Sequence, residues 1–307
     1  MTRIRRYGDA AVLDCRGPLR EVAGLRMYSA LSVVLGGHEP GLAAGPAAAI
    51  AALRRSQATG VLSALDAAVI SFRVDPLADR WELRDLVAAE LGWRNDPRDW
   101  QVNLTRRGDL LLAQVGALYR SSRFPTMARL PASTNPVVAA LLVQLLKVGA
   151  GQVVYDPFCG SGTLLVEAFA YDGTAVLIGS DSSPTALAAA AANRPMWGGG
   201  PLRADAARLP VATGSVDRVV ANLPFGKRVG SHAANIVLYP AFLAELNRVL
   251  RADGRAVLLT EDKELFRRSV RRAPGVRVLR EVRLASGGLH PSAFVLERTR
   301  TARGRRP

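Results

Sequence analysis

Val153-Val154-Tyr155-Asp156-Pro157-Phe158-Cys159-Gly160-Ser161-Gly162-Thr163 (VVYDPFCGSGT) is the stretch that decides the fold. Strand-forming residues run into an acid, two glycines follow within a short loop, and Thr163 to about Ala170 reads as a helix. Strand, glycine loop and helix in that order open a parallel α/β sheet, where ligands sit beyond the carboxyl ends of the strands. Glycine lets the backbone pass close to a ligand, and the first helical turn offers free N–H groups to a carboxylate. Asp156 is positioned to meet a ligand ammonium. The dinucleotide fingerprint is not met, because Leu165 stands where its third glycine would be. A tight strand-to-helix turn alone produces the same spacing.

Downstream the pattern repeats. Ala175 to Ser180 is a predicted strand ending at Asp181, followed by a helix over Pro184 to Asn193. Leu202-Arg203-Ala204 leads to Asp205, and Arg218-Val219-Val220-Ala221 leads to Asn222. A helix is expected over Leu238 to Leu250, a strand over Arg255 to Leu259 and a helix over Asp262 to Arg272. Two closing strands, Val278 to Leu284 and Ser292 to Glu297, flank Gly287-Gly288 and imply an antiparallel edge on a mostly parallel sheet. Four polar residues thus fall where strands end: Asp156, Asp181, Asp205 and Asn222. An acid after the second strand can accept from ribose hydroxyls, and Asp205 can accept from an adenine amine. Read singly, each aspartate serves equally well as a helix cap or turn residue; their order along the chain favours a nucleoside.

Upstream, Asn135 is a predicted cap with Pro136 at the first position of a helix running to about Val148. Arg123 to Pro136 reads as a linker. Before it, Ala67 to Val74 and Leu110 to Leu118 read as strands. Arg80 to Leu91 reads as a helix with Leu83, Val87 and Leu91 on one face, closed by Gly92. The expected organisation is a small α+β module over 1–124, a linker and leading helix over 125–149, the α/β domain over 150–297, and a disordered basic tail over 298–307.

Composition narrows the partner. The chain has 307 residues, is 49% hydrophobic and 22% charged, and carries a formal charge of +15. Its only lysines are Lys147, Lys227 and Lys263, which fits codon bias toward arginine but does not explain the excess over acids. From Phe266 to Pro307 there are 12 arginines against Glu281 and Glu297, a net +10. Such charge attracts phosphate, although solubility selects similar numbers. No apolar run reaches the length of a membrane span; Val137 to Val148 is broken by Gln144 and Lys147. Met1 to Arg6 is not followed by a signal-peptide core. Cys15 and Cys159 are too few for a disulfide framework, and with three histidines they form no zinc pattern. A cytoplasmic protein without membrane or metal is the expectation.

Asn222-Leu223-Pro224-Phe225-Gly226 is the most specific motif. A base amine is a poor nucleophile because its lone pair is delocalised into the ring. The side-chain carbonyl of Asn222 and the backbone carbonyl of Leu223 can both accept from that amine, turning its lone pair toward a methyl donor. No strong base is needed, since the proton becomes acidic as the N–C bond forms. Phe225 offers a face on which a flipped base can stack. A polar turn beside a core phenylalanine is the bland alternative. Lys227, Arg228 and His232 can hold phosphates or line a solvated loop. His38 and His290 read as structural, and Glu167 as a residue fixing local geometry.

With those motifs, the stretch from about Arg123 to Glu264 resembles the Rossmann-like class I methyltransferase domain of RNA guanine-N2 methyltransferases that carry a THUMP domain. The matching segments are Asp156 to Thr163, Gly179-Ser180-Asp181, Asn222 to Ser231 (NLPFGKRVGS) and Leu238-Tyr239-Pro240. Gly116 to Pro125 (GALYRSSRFP) resembles the exit of the THUMP module, and Phe72-Arg73-Val74 one of its strands. The resemblance implies that Asp156, Phe158, Gly160, Gly162, Asp181, Asp205 and Ala206 bind S-adenosyl-L-methionine. It also implies that Asn222, Leu223, Pro224 and Phe225 handle a guanine, with tRNA as the substrate. Residues before Phe72 match poorly, and Leu223 stands where many relatives have proline. Ribosomal RNA guanine, DNA adenine-N6, a small-molecule amine and a non-catalytic RNA-binding role are the competing readings.

Overall fold

A computed structural model describes residues 4–7, 10–13, 22, 24–36, 45–55, 69–75, 77–108, 110–119, 123–225, 231–286 and 288–299. The chain divides into two compact units, Met1–Pro125 and Thr126–Pro307.

In the first unit, β1 (Ile4–Tyr7) pairs antiparallel with β2 (Ala10–Leu13). A separate five-stranded sheet contains β3 (Ser32–Gly36), β4 (Ser71–Val74), β5 (Arg94–Asn95), β6 (Val102–Arg107) and β7 (Leu110–Val115) in the order β3-β7-β6-β4-β5. Helices α1 (Pro46–Arg54) and α2 (Arg80–Leu91) share one core with it, through Ile50, Leu53, Leu83 and Val87 against Phe72, Val102, Leu104 and Leu111. The expected ending of α2 is present: Gly92 has φ +66° and its N–H closes on the Ala88 carbonyl at 3.2 Å. The strand expected over Ala67 to Val74 is shorter, beginning at Ser71, with 61–68 outside the described residues. The strand expected to reach Leu118 stops at Val115 and gives way to a 3-10 turn at Gly116–Leu118. Gly116 permits this turn because a Cβ there would lie 2.6 Å from the Trp100 carbonyl.

The second unit begins with α3 (Pro136–Leu146), whose Asn135 Oδ1 accepts from the Val137 N–H at 2.9 Å as the capping signal predicts. It continues through β8 (Val153–Asp156), α4 (Thr163–Tyr171), β9 (Val176–Asp181), α5 (Pro184–Ala192), β10 (Pro201–Arg203) and β11 (Val216–Asn222). Then come α6 (His232–Val249), β12 (Leu250–Thr260), α7 (Lys263–Arg272), β13 (Val276–Arg283) and β14 (Ser292–Arg298). The sheet order is β10-β9-β8-β11-β12-β14-β13. β14 runs antiparallel to both its neighbours, so the antiparallel strand lies inside the edge rather than on it. This is the Rossmann-like class I arrangement.

Two differences from the sequence expectation have clear causes. Helix α6 starts at His232, six residues before Leu238, capped by Ser231 Oγ accepting from the Ala234 N–H at 3.1 Å; exposed Ile236 and Val237 on its first turns break the apolar pattern. Pro240 inside it removes the N–H that would bond the Ile236 carbonyl, yet buried Tyr239, Phe242 and Leu243 hold the helix through that point. Strand β12 extends back to Leu250, which pairs with Val216 of β11 before an irregularity, and the register with β11 and β14 runs on from Arg255.

Both sheet faces are covered. α6 and α7 pack on one side through Tyr239, Phe242, Leu265 and Phe266, and α3 and α4 on the other through Leu142, Val143, Leu146 and Leu165. No helix among the described residues is long and apolar enough to cross a membrane.

Candidate active site

The chain builds outward from β8 in two directions, to β9 and β10 on one side and to β11 and β12 on the other. Helices on either side of that reversal go to opposite faces, and the carboxyl ends of β8 and β11 open a crevice between them. Asp156 ends β8 and Asn222 ends β11, so the two expected residues flank it.

The glycine loop is held by bonds within itself and to the end of β9. Asp156 Oδ1 accepts from the Phe158 N–H at 3.0 Å, the Cys159 N–H donates to the Ser180 carbonyl at 2.9 Å, and the Gly162 N–H to Cys159 at 2.7 Å. Gly160 and Gly162 adopt φ +53° and +83°, left-handed conformations that a side chain would strain. The Gly160 N–H donates to Asp181 Oδ2 at 3.0 Å, tying the loop to the end of β9, while Asp181 Oδ1 takes the Ser183 N–H. Phe158 packs edge-on against Phe242 with ring centroids 5.1 Å apart. Asp205 accepts from the Ala207 N–H at 2.9 Å, and Ala206 is buried in the core.

Asp156 carries the electrostatic signature of the site. It is 1% exposed, and its Oδ2 has no hydrogen-bond partner among the described residues. Burial pushes its carboxyl well above the usual range, the neighbouring Asp181 adds to this, and the Phe158 N–H opposes it. A bare buried carboxylate oxygen at such a strand end fits a ligand ammonium. Burial also pushes the Cys159 thiol up, which leaves it a neutral packing group, and holds the Tyr155 phenol at about 12 beside Ser180.

At the end of β11, Asn222 Nδ2 donates to Thr134 Oγ1 at 3.1 Å, and Asn222 Oδ1 is buried with no partner among the described residues. Leu223 is 1% exposed and its N–H donates to the Leu259 carbonyl, so its side chain belongs to the core. The Pro224 carbonyl accepts from Asn235 Nδ2 and Tyr239 Oη, both at 2.7 Å. Tyr239 in turn accepts from the Thr260 hydroxyl at 2.8 Å. Phe225 is half-buried, and Gly226 to Gly230, with Lys227 and Arg228, lies outside the described residues. His232, read as a phosphate contact, pairs through Nδ1 with Asp262 Oδ2 at 2.7 Å.

Four residues the motifs did not assign belong to this centre. Ser133 Oγ lies 2.8 Å from Ser161 Oγ. Asn193 accepts from the Ala128 N–H and donates to the carbonyls of Ala128 and Ser161, each at 2.8 Å. Thr134 holds Asn222. The stretch read as a linker is therefore one wall of the site between Ala128 and Thr134. Nothing local marks it, since its partners lie 28 to 88 residues away.

The sequence profile described as the RMKL-like methyltransferase domain matches residues 123–292, more than half of the chain. The chain belongs to this family. The chain is 39% identical over 184 residues to the tRNA (guanine(6)-N2)-methyltransferase of Thermus thermophilus, covering 58% of this chain and 53% of that protein. It is 35% identical over 190 residues to the mouse tRNA (guanine(6)-N(2))-methyltransferase THUMP3, covering 56% of this chain and 37% of the relative. The chain thus spans only about a third to a half of the length of these curated relatives. The crystal structure of TrmN from Thermus thermophilus superposes with a TM-score of 0.68 at 27% identity, over 94% of this chain and 89% of that one.

Proposed function

We propose that this methyltransferase moves a methyl group from S-adenosyl-L-methionine to the exocyclic N2 amine of a guanine in tRNA. The observation that carries the reading is the pair of bare buried oxygens, Asp156 Oδ2 and Asn222 Oδ1, at the two strand ends flanking the crevice. One suits a cationic ammonium on the donor and the other suits an amine N–H on the acceptor. Asp156, Phe158, Gly160, Gly162, Asp181, Asp205 and Ala206 form the proposed donor site. When bound, S-adenosylmethionine supplies a methyl carbon whose bond to sulfur breaks as the bond to nitrogen forms.

On this reading Asn222 Oδ1 and the Leu223 carbonyl accept the two amine hydrogens and turn the nitrogen lone pair out of conjugation. The proton released on transfer leaves to solvent. Asn235 and Tyr239 keep the loop in place by holding the Pro224 carbonyl, and Phe225 stacks on the base. The Thermus thermophilus and mouse relatives bear tRNA guanine-N2 names, which supports tRNA over DNA. The superposition on TrmN spans 94% of the chain, and supports reading residues 1–124 as a THUMP-like RNA-binding module before the domain over 150–297. The basic stretch after Phe266 supports a polyanionic substrate. We infer a cytoplasmic location from this substrate, and no metal ion enters the reading.

The test is incubation with labelled S-adenosylmethionine and separate pools of unmodified tRNA, ribosomal RNA and DNA, followed by digestion to nucleosides and mass identification. N2-methylguanosine from tRNA is the expected product. Label in N6-methyladenine overturns the guanine assignment, and label in no pool overturns the enzyme reading.

A further inference from the structure

The geometry points to Thr134 as a positioning residue that fixes the Asn222 amide with its oxygen turned toward the target amine. The inference rests on the proposed role of Asn222 and adds what that role requires. A primary amide has one accepting and one donating end, nearly identical in shape. Turned one way, Asn222 offers an oxygen to the amine. Turned the other, it presents N–H groups to N–H groups, and the amine is repelled.

Asn222 sits at the last position of β11, so the strand sets where its side chain leaves the backbone but not which end of the amide points inward. Nδ2 takes the Thr134 hydroxyl as its acceptor at 3.1 Å, while Oδ1 stays buried and without a partner among the described residues. Thr134 is anchored. The preceding Ser133 hydroxyl accepts from the Leu130 N–H and meets Ser161 of the glycine loop, each at 2.8 Å. Asn135 then caps α3 through Val137. A hydroxyl can donate as well as accept, so these anchors fix where Oγ1 stands and give Nδ2 its acceptor, while the N–H groups of the amine favour Oδ1 as the inward end. The same wall touches the glycine loop at Ser133 and the amine acceptor at Thr134, so it sets the spacing between donor and acceptor sites. An acceptor-only arrangement also selects chemistry, because a keto oxygen would face Asn222 Oδ1 without a proton between them.

The experiment compares Thr134→Val, Thr134→Ser, Thr134→Ala and Asn222→Ala as full-length proteins. Transcribed, unmodified tRNA is the substrate, with turnover, KM for RNA, equilibrium binding of S-adenosylmethionine and thermal melting as readouts. Valine keeps the shape and removes the acceptor. Thr134→Val should lower kcat about 10- to 100-fold, the loss typical of a reacting group misplaced by about an ångström. Its KM and cofactor affinity should stay within about twofold. Thr134→Ser should recover most of the turnover and Thr134→Ala should not, which a purely packing role would not produce. Wild-type kcat in Thr134→Val, with Asn222→Ala inactive, overturns the positioning role alone. Near-normal activity in Asn222→Ala overturns the reading beneath it. If Thr134→Val melts early, the contrast between the serine and alanine variants decides: equal kcat in those two overturns the inference.

Discussion

The glycine loop after β8 and the Asn222 loop after β11 occupy equivalent places, each at a strand's carboxyl end beside the crevice, and they differ in how much of their support is local. The first loop is folded by bonds within a few residues and two left-handed glycines, and is then tied to Ser180 and Asp181 on β9, to Asn193 and to Ser133. The second is held almost wholly from elsewhere: Thr134 before the sheet, Leu259 on β12, and Asn235 and Tyr239 on α6. A loop shaped by its own glycines leaves a local mark in the sequence. A loop held by distant side chains leaves only its functional atoms.

Asn222→Ala should break the second loop's chemistry most sharply, lowering turnover about 10²- to 10³-fold, as loss of an oriented polar group in a transition state does. S-adenosylmethionine binding, followed by calorimetry, should hardly move. Activity near wild type would show that the second loop does not orient the amine.

Asp156→Asn tests the first loop. Cofactor affinity should fall about 10- to 100-fold with the loss of a charged hydrogen bond. The ligand-free protein should gain stability. Burial raises the Asp156 pKa, so the folded chain holds that proton more tightly than the unfolded chain. The carboxylate therefore subtracts stability as pH climbs above the unfolded value of about 3.9, and the penalty is complete above the folded one. At neutral pH the asparagine variant should melt about 2–4 °C higher, and its melting temperature should lose this part of its fall with pH. A lower melting point at neutral pH would mean that the carboxylate supports the loop rather than waiting for a ligand.

Gly162→Ala should cost about 1–2 kcal/mol, from the left-handed backbone and from a Cβ placed 3.3 Å from Trp197 Nε1. A urea midpoint measures it, and an unchanged midpoint would show that the first loop relaxes freely. Tyr239→Phe should have the smallest effect, about a fivefold loss of turnover, or about 1 kcal/mol. Asn235 still holds the Pro224 carbonyl, while Thr260 loses its acceptor. No loss at all would assign the second loop's support to Asn235 and Thr134.

The same division governs what was readable elsewhere. Gly92 after α2 and Asn135-Pro136 before α3 act on their own helices and were legible from neighbouring residues. Asp156, Asp181 and Asn222 were found because they interrupt apolar strands, and the structure puts each at the end of one. The start of α6 was missed because Ile236 and Val237 are exposed where apolar residues imply burial. The stretch from Ala128 to Thr134 has the local pattern of a linker, because loop residues there spend their hydrogen bonds on Ser161, Asn193 and Asn222, far along the chain.

The sequence by itself determined the alternation of strands and helices, the capping residues and the chemical identity of the groups at the strand ends. Periodicity, glycine conformation and side-chain type are properties of a residue and its near neighbours. Only the tertiary structure decided that β14 inserts between β12 and β13, that Asp156 lies buried with an oxygen bare, and which end of the Asn222 amide faces inward. Each depends on where distant segments meet, and burial and hydrogen-bond direction exist only once they have.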